Sequence, residues 1–164
     1  MKKFNPLNEL EWSLLAAQEN KISVSQLFGR NENDLKFISN QLQIPFSNNH
    51  LEDADLYLIC VSDSSIGKVS KMITKENCLV AHTSGSLPKE ILEGNYRKAS
   101  FYPLQTFSKS KEINYAEIPF FVESDDEQDV ELLKNLALEV SEKVMVSTYE
   151  KRKYIHLTAV FACN

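Results

Sequence analysis

The sequence predicts an α/β fold, a doubly wound and mostly parallel sheet, and three segments carry that prediction. Ala54–Ile66 reads ADLYLICVSDSSI, Asn77–Pro88 reads NCLVAHTSGSLP and Lys98–Ser108 reads KASFYPLQTFS. Each is an apolar run that stops abruptly at small polar residues. That is the pattern of a parallel strand covered on both faces and ending in a functional loop. Ligands of such sheets sit at the carboxyl ends of the strands. The loops at Ser62–Ser65, His82–Ser86 and Pro103–Thr106 are therefore the candidate site, and Ser62, Ser84 and Gln105 should share one rim.

The remaining elements follow in chain order. Leu10–Asn20 has Leu10, Leu14 and Ala17 on one face and reads as a helix. Ile22–Phe28 alternates and is β-branched at Ile22 and Val24, which predicts a strand ending at Gly29 and Arg30. Asn31 can cap a helix over Glu32–Leu42 with Leu35, Ile38 and Leu42 inward. Ile44-Pro45-Phe46 is a short strand at best, because proline cannot donate to a central ladder. Asp55–Val61 is the strongest strand, with a helix over Ser65–Ile73 behind it. Cys78–Thr83 is the next strand, and Pro88–Leu92 is a short helix entered through proline. Strands at Ala99–Tyr102 and Pro119–Glu123 precede an acidic-faced helix over Asp126–Glu142, with Val130, Leu133, Leu136 and Ala137 inward. Lys143–Ser147 is a last strand, after which Thr148 caps a helix that runs to Asn164. The expected organisation is one sheet domain over residues 1–147 and the start of a truncated helical domain over residues 148–164.

Composition narrows the function. A chain of 164 residues with 43% hydrophobic content can bury one substantial core. A net charge of −5 with scattered lysines argues against nucleic acid as the main partner. The densest basic cluster, Lys151-Arg152-Lys153, reads as a solvated helix face. No apolar run approaches a membrane span, and the first residues lack the apolar core of a signal peptide, so a cytoplasmic protein is expected. Cys60, Cys78 and Cys163 are odd in number and far apart, as in a reduced compartment.

At these motifs the chain resembles a bacterial family of Rossmann-like oxidoreductases, predicted to depend on NADP, that carries a C-terminal helical domain of unknown function. That family is related to pyrroline-5-carboxylate reductase, prephenate dehydrogenase and the 6-phosphogluconate dehydrogenase group. The matching motifs are Ala54–Ile66, HTSGS at His82–Ser86, FYPLQTFS at Phe101–Ser108, IPFFVE at Ile118–Glu123 and RKYIHLTAVFACN at Arg152–Asn164. The resemblance covers roughly Ile22 to Asn164. It implies NADP as cofactor, with Arg30 where the adenosine ribose lands. An arginine there accommodates a 2′-phosphate; taken alone, Arg30 reads equally well as a surface residue beside a turn. Val61, Ser62 and Asp63 would pass beside the cofactor's ribose and pyrophosphate, and Thr83 would lie near the nicotinamide. Tyr102, Pro103, Gln105 and Thr106 would form the opposite wall of a substrate pocket, which Asn164 approaches from the last helix. The expected activity is hydride transfer between nicotinamide and a small carbonyl or imine. His82 and Ser84 would polarise or orient the substrate, and His156 would donate the proton, since imidazole titrates near working pH. Full-length relatives are expected to be homodimers.

The amino terminus departs from the family. Where a strand should run into G-x-G-x-x-G stands Lys3-Phe4-Asn5-Pro6-Leu7-Asn8-Glu9, with no glycine and with a carboxylate at Glu9. Each lost backbone donor to a buried phosphate costs on the order of 1.5–3 kcal/mol. NADP binding by this chain is therefore expected to be severely weakened or absent. The competing expectation is a non-catalytic remnant, or a ligand-binding or interaction module that keeps the fold without the cofactor. At the other end Leu157, Val160 and Phe161 would lie uncovered, which predicts association.

Other chemistries fit less well. Thr83-Ser84-Gly85-Ser86 does not supply the G-x-S-x-G elbow of a serine hydrolase, and serines capping the amides of a helix start explain it better. His50, His82 and His156 have no ligand spacing with the cysteines, so no metal is expected. Asp63, at a strand's carboxyl end, reads either as the cap of the Ser65 helix or as a ligand contact.

Overall fold

The computed structural model describes residues 23–105 and 114–163. The expected Leu10–Asn20 helix, the Lys3–Glu9 segment, Thr106 and Asn164 lie outside the described residues. The main sheet has five strands, β3 (Leu56–Ile59), β4 (Leu79–His82), β5 (Arg97–Pro103), β6 (Phe120–Ser124) and β7 (Val144–Val146), adjacent in that order. β3, β4 and β5 run parallel, with Leu56 opposite Leu79 and Leu79 opposite Arg97. β6 is antiparallel to β5, and β7 is parallel to β6. Two further strands, β1 (Leu27–Phe28) and β2 (Phe46–Ser47), form a separate parallel pair.

Period-two alternation divides the core between the sheet's two faces. Leu79 and Ala81 of β4 turn to one side with Phe101, Phe120 and Val122, against Leu133, Leu136 and Ala137 of helix α3 (Glu127–Leu138). Cys78 and Val80 turn to the other with Tyr57 and Ile59, against Ile66 of helix α2 (Asp63–Ser70) and Leu92. Every residue of β4 is buried, as a parallel strand covered on both sides requires. The sheet is thus doubly wound, as expected. Helix α1 (Glu32–Leu42) packs Leu35 and Ile38 with Leu27 and Ile44 in a smaller cluster, and Leu42 lies at its margin.

Several boundaries differ from expectation, each for a local reason. Of the strand expected over 22–28, the described residues pair at Leu27–Phe28, where the Leu27 amide donates to the Pro45 carbonyl at 2.8 Å. α2 begins at Asp63, two residues early, with Ser62 in the N-cap position. It stops at Ser70, whose hydroxyl donates to the Gly67 carbonyl (2.9 Å) and accepts the Glu93 amide (2.8 Å). α3 ends at Leu138, short of Glu142, because the buried Ser141 hydroxyl donates to the Ile118 carbonyl at 2.5 Å and bends the chain into β7. Helix α4 (Tyr149–Cys163) closes the described fold, and the Lys151 amide meets the Thr148 hydroxyl at 3.5 Å.

Candidate active site

The carboxyl ends of three parallel neighbours, β3, β4 and β5, deliver Ser62, Thr83-Ser84 and Gln105 to one edge of the sheet. The loops are joined there directly: the Ser86 hydroxyl donates to Asp63 Oδ2 at 2.5 Å. Asp63 therefore stands in the first turn of α2 and braces the neighbouring loop. Ser62 lies exposed beside it, with its hydroxyl 3.1 Å from that of Ser65.

The turn after β4 is built by its own hydroxyls and by a histidine. Ser84 Oγ accepts the amides of Ser86 and Leu87, both at 3.2 Å, and the Ser84 amide donates to His82 Nδ1 at 3.1 Å. The serines do bind backbone amides, but in a turn. The following 3₁₀ turn, Lys89–Ile91, starts after Pro88 with no side-chain cap. His82 has no exposed surface, and its Nε2 reaches no partner at hydrogen-bonding geometry. Burial, and next the Arg152 charge, push its pKa down to about 4, against smaller raising effects of the Pro88 carbonyl, Asp63 and Glu90. The ring is neutral at pH 7, with the proton on Nε2 because Nδ1 accepts from Ser84.

Gly85 is the point where three elements meet. A Cβ there would stand 2.5 Å from the Tyr102 ring and 2.7 Å from His156 Nδ1. Only hydrogen fits, and the consequence is a close pair: Tyr102 Oη lies 2.8 Å from His156 Nδ1, with the rings edge to face at 5.6 Å. Phe121, the register partner of Tyr102 on β6, stacks with its ring at 6.3 Å.

Behind this pair lies a side chain that the sequence misplaced. Arg152, expected on a solvated helix face, is wholly buried, whereas its neighbours Lys151 and Lys153 are exposed. Its Nη1 donates to Glu123 Oε2 and its Nη2 to the Leu87 carbonyl (2.7 Å), while Glu123 Oε1 accepts the Tyr149 amide at 3.0 Å. A half-buried carboxylate on β6 captures a charge that would otherwise face water. Arg152 and His156 stand at i and i+4 and so project from one face of α4. That spacing is the one trace of the arrangement in the sequence; Glu123 and Gly85 left no comparable signal of their partnership.

Of the expected site residues, His82, Thr83, Ser84, Tyr102 and Pro103 are buried, Val61 and His156 are half-buried, and Ser62, Asp63 and Gln105 are exposed. Hydrogen bonds gather His82 with Ser84, Asp63 with Ser86, and Tyr102 with His156 around the one turn. Arg30 stands apart, exposed after β1 in the two-stranded pair, with no carboxylate at ion-pair distance among the described residues. Among the described residues no three His, Cys, Asp or Glu side chains group as metal ligands, and no described helix is long and apolar enough to cross a membrane.

A family model for a domain of unknown function, DUF2520, matches residues 118–164. The chain is 31% identical to an inferred NADP oxidoreductase of Bacteroides fragilis, with a TM-score of 0.85, covering 96% of this chain and 64% of that one. A prephenate dehydrogenase of Aquifex aeolicus, solved with hydroxyphenyl propionate and NAD+, matches at a TM-score of 0.71 and 13% identity over 89% of this chain and 59% of that one. A pyrroline-5-carboxylate reductase of Coxiella burnetii matches at 0.65 and 11% identity over 93% and 73%. At such identities the last two share the fold alone. No curated protein matches the sequence. The chain is thus similar, in fold and in its carboxyl-terminal motif, to the Rossmann-like oxidoreductases that carry this domain of unknown function, and it spans 64% of the length of the Bacteroides protein.

Proposed function

We propose that the rim is the reaction site of a nicotinamide-dependent oxidoreductase acting on a small carbonyl or imine. The observation that carries this reading is the Tyr102–His156 hydrogen bond set over Gly85 at the carboxyl ends of parallel strands. The described residues suit the ribose and nicotinamide ends of a dinucleotide. Arg30 offers an exposed guanidinium without a carboxylate partner among them, and Ser62 and Ser64 offer exposed hydroxyls at the rim. Arg30 would receive a 2′-phosphate, and Ser62 and Asp63 the ribose hydroxyls. Bound there, the nicotinamide supplies or accepts hydride.

The chain's own groups manage the proton and the geometry. With the Tyr102 hydroxyl donating to Nδ1, His156 keeps its proton on Nε2, where it can polarise and then protonate a carbonyl oxygen or imine nitrogen. His82 holds the Ser84 turn in place, and Ser84 and Thr83 line the floor beneath. Tyr102, Pro103 and Gln105 form the wall. The missing glycine loop at Lys3–Glu9 weakens the hold on the pyrophosphate, so affinity for NADP falls well below that of an intact dinucleotide site.

The experiment is NADPH oxidation by the full chain against a panel of small ketones, oxo acids and cyclic imines, beside thermal shift with NADP, NADPH and NAD. Expected are a rise of several degrees with NADP at millimolar concentration and turnover that drops about 100-fold in His156→Gln at unchanged NADP affinity. No thermal response to any of the three nucleotides would replace this reading with that of a non-catalytic binding module.

A further inference from the structure

The rim depends on a side chain that the proposed chemistry does not use. His82, Ser100 and Glu123 are register partners on β4, β5 and β6, so their side chains leave the sheet on one face. Arg152 crosses this polar row from α4. Through Glu123 it ties β6 to the first turn of α4, and through the Leu87 carbonyl it ties both to the turn that carries Gly85. His156, one helical turn further on, meets that same glycine.

Stability alone does not account for this. A buried ion pair can often be exchanged for apolar side chains without loss. Here, moreover, Arg152 Nε, His82 Nε2 and Ser100 Oγ stay buried without hydrogen-bond partners. What a guanidinium adds is direction: a rigid fork fixes the angle between the groups it joins, as a flexible ammonium does not.

We propose that Arg152 is a positioning residue, which locks α4 to the Gly85 turn and thereby holds His156 against Tyr102. The proposal rests on the rim being the reaction site. Arg152 also acts on His82, where its charge opposes protonation while Asp63 and Glu90 favour it.

The test is nitrogen NMR of the histidine rings in the full 164-residue chain, without nucleotide, for the wild type, Arg152→Met and Arg152→Lys. The wild type should show His156 as a single tautomer. Arg152→Met should move His156 towards the average of the two tautomers and raise the His82 midpoint by about one pH unit. Arg152→Lys, which keeps the charge without the fork, should restore the His82 midpoint and leave His156 averaged. If circular dichroism finds Arg152→Met unfolded, Arg152→Met/Glu123→Leu takes its place, because it leaves no lone buried charge. A folded variant whose His156 signals superimpose on those of the wild type overturns the proposal. None of these readouts needs NADP, so absent NADPH oxidation would sink the oxidoreductase reading alone, and unchanged ring signals the role of Arg152 alone.

Discussion

His82 shows how one atom's surroundings decide what a residue can do. Read from the sequence it is a histidine at a strand end, expected to polarise or orient a substrate. In the fold it is buried, flanked by Arg152, and held neutral with a pKa of about 4. A neutral ring is what the Ser84 amide needs, since Nδ1 must accept. The energetic consequence has a definite sign. Above the ordinary value near 6.5 the folded and unfolded chains both leave the ring uncharged, and the stability is complete. As pH falls from 6.5 to 4, the unfolded chain takes up a proton that the folded one refuses, so stability declines by on the order of 3 kcal/mol. Urea midpoints measured between pH 7 and pH 4.5 should show this decline, and His82→Asn, which keeps an acceptor at the position, should flatten it. Parallel profiles for the two proteins would assign the acid sensitivity to other groups.

Among the elements, the helix starts are where local chemistry acts most cleanly. Asn31 Oδ1 accepts the amides of Asn33 and Asp34, at 3.1 and 3.5 Å, and α1 carries Glu32 and Asp34 in its first turn, on the favourable side of the helix dipole. Asn31→Ala should lower stability by about 1 kcal/mol, read as a lower urea midpoint at unchanged slope. This cap was legible in the sequence because it depends on residues three apart. β3 and β4 were legible for a related reason: unbroken apolar runs admit few alternatives. The start of α2 was not, because Asp63 owes its place partly to Ser86, a residue on another loop. The burial of Arg152 was hidden for the same cause. A basic triplet on a helix looks solvated until β6 brings Glu123 beneath it, and nothing within reach of a local pattern places β6 antiparallel to β5.

For the molecule as a whole, the common rim of Ser62, Ser84 and Gln105 followed from topology and was foreseeable, since parallel neighbours end on one edge. Burial also bears out the uncovered stripe of α4. Leu157 is 48% exposed, Val160 42% and Phe161 76%, with Tyr154 and, on β7, Met145 and Val146 exposed as well. Such apolar surface favours self-association. Light scattering behind a sizing column should find oligomers at micromolar concentration, and Phe161→Ser should shift them towards the monomer; a clean wild-type monomer at high concentration would count against this. The two sides of the sheet, finally, have separate duties. The side under α3 is apolar along β4 and keeps an ion pair, Arg97 with Asp129, at the strand-entry end of β5, while the opposite side changes along β4 from Cys78 and Val80 to His82. Changes beneath α3 should therefore tune how long the protein survives, and leave the polar edge on its other side largely untouched.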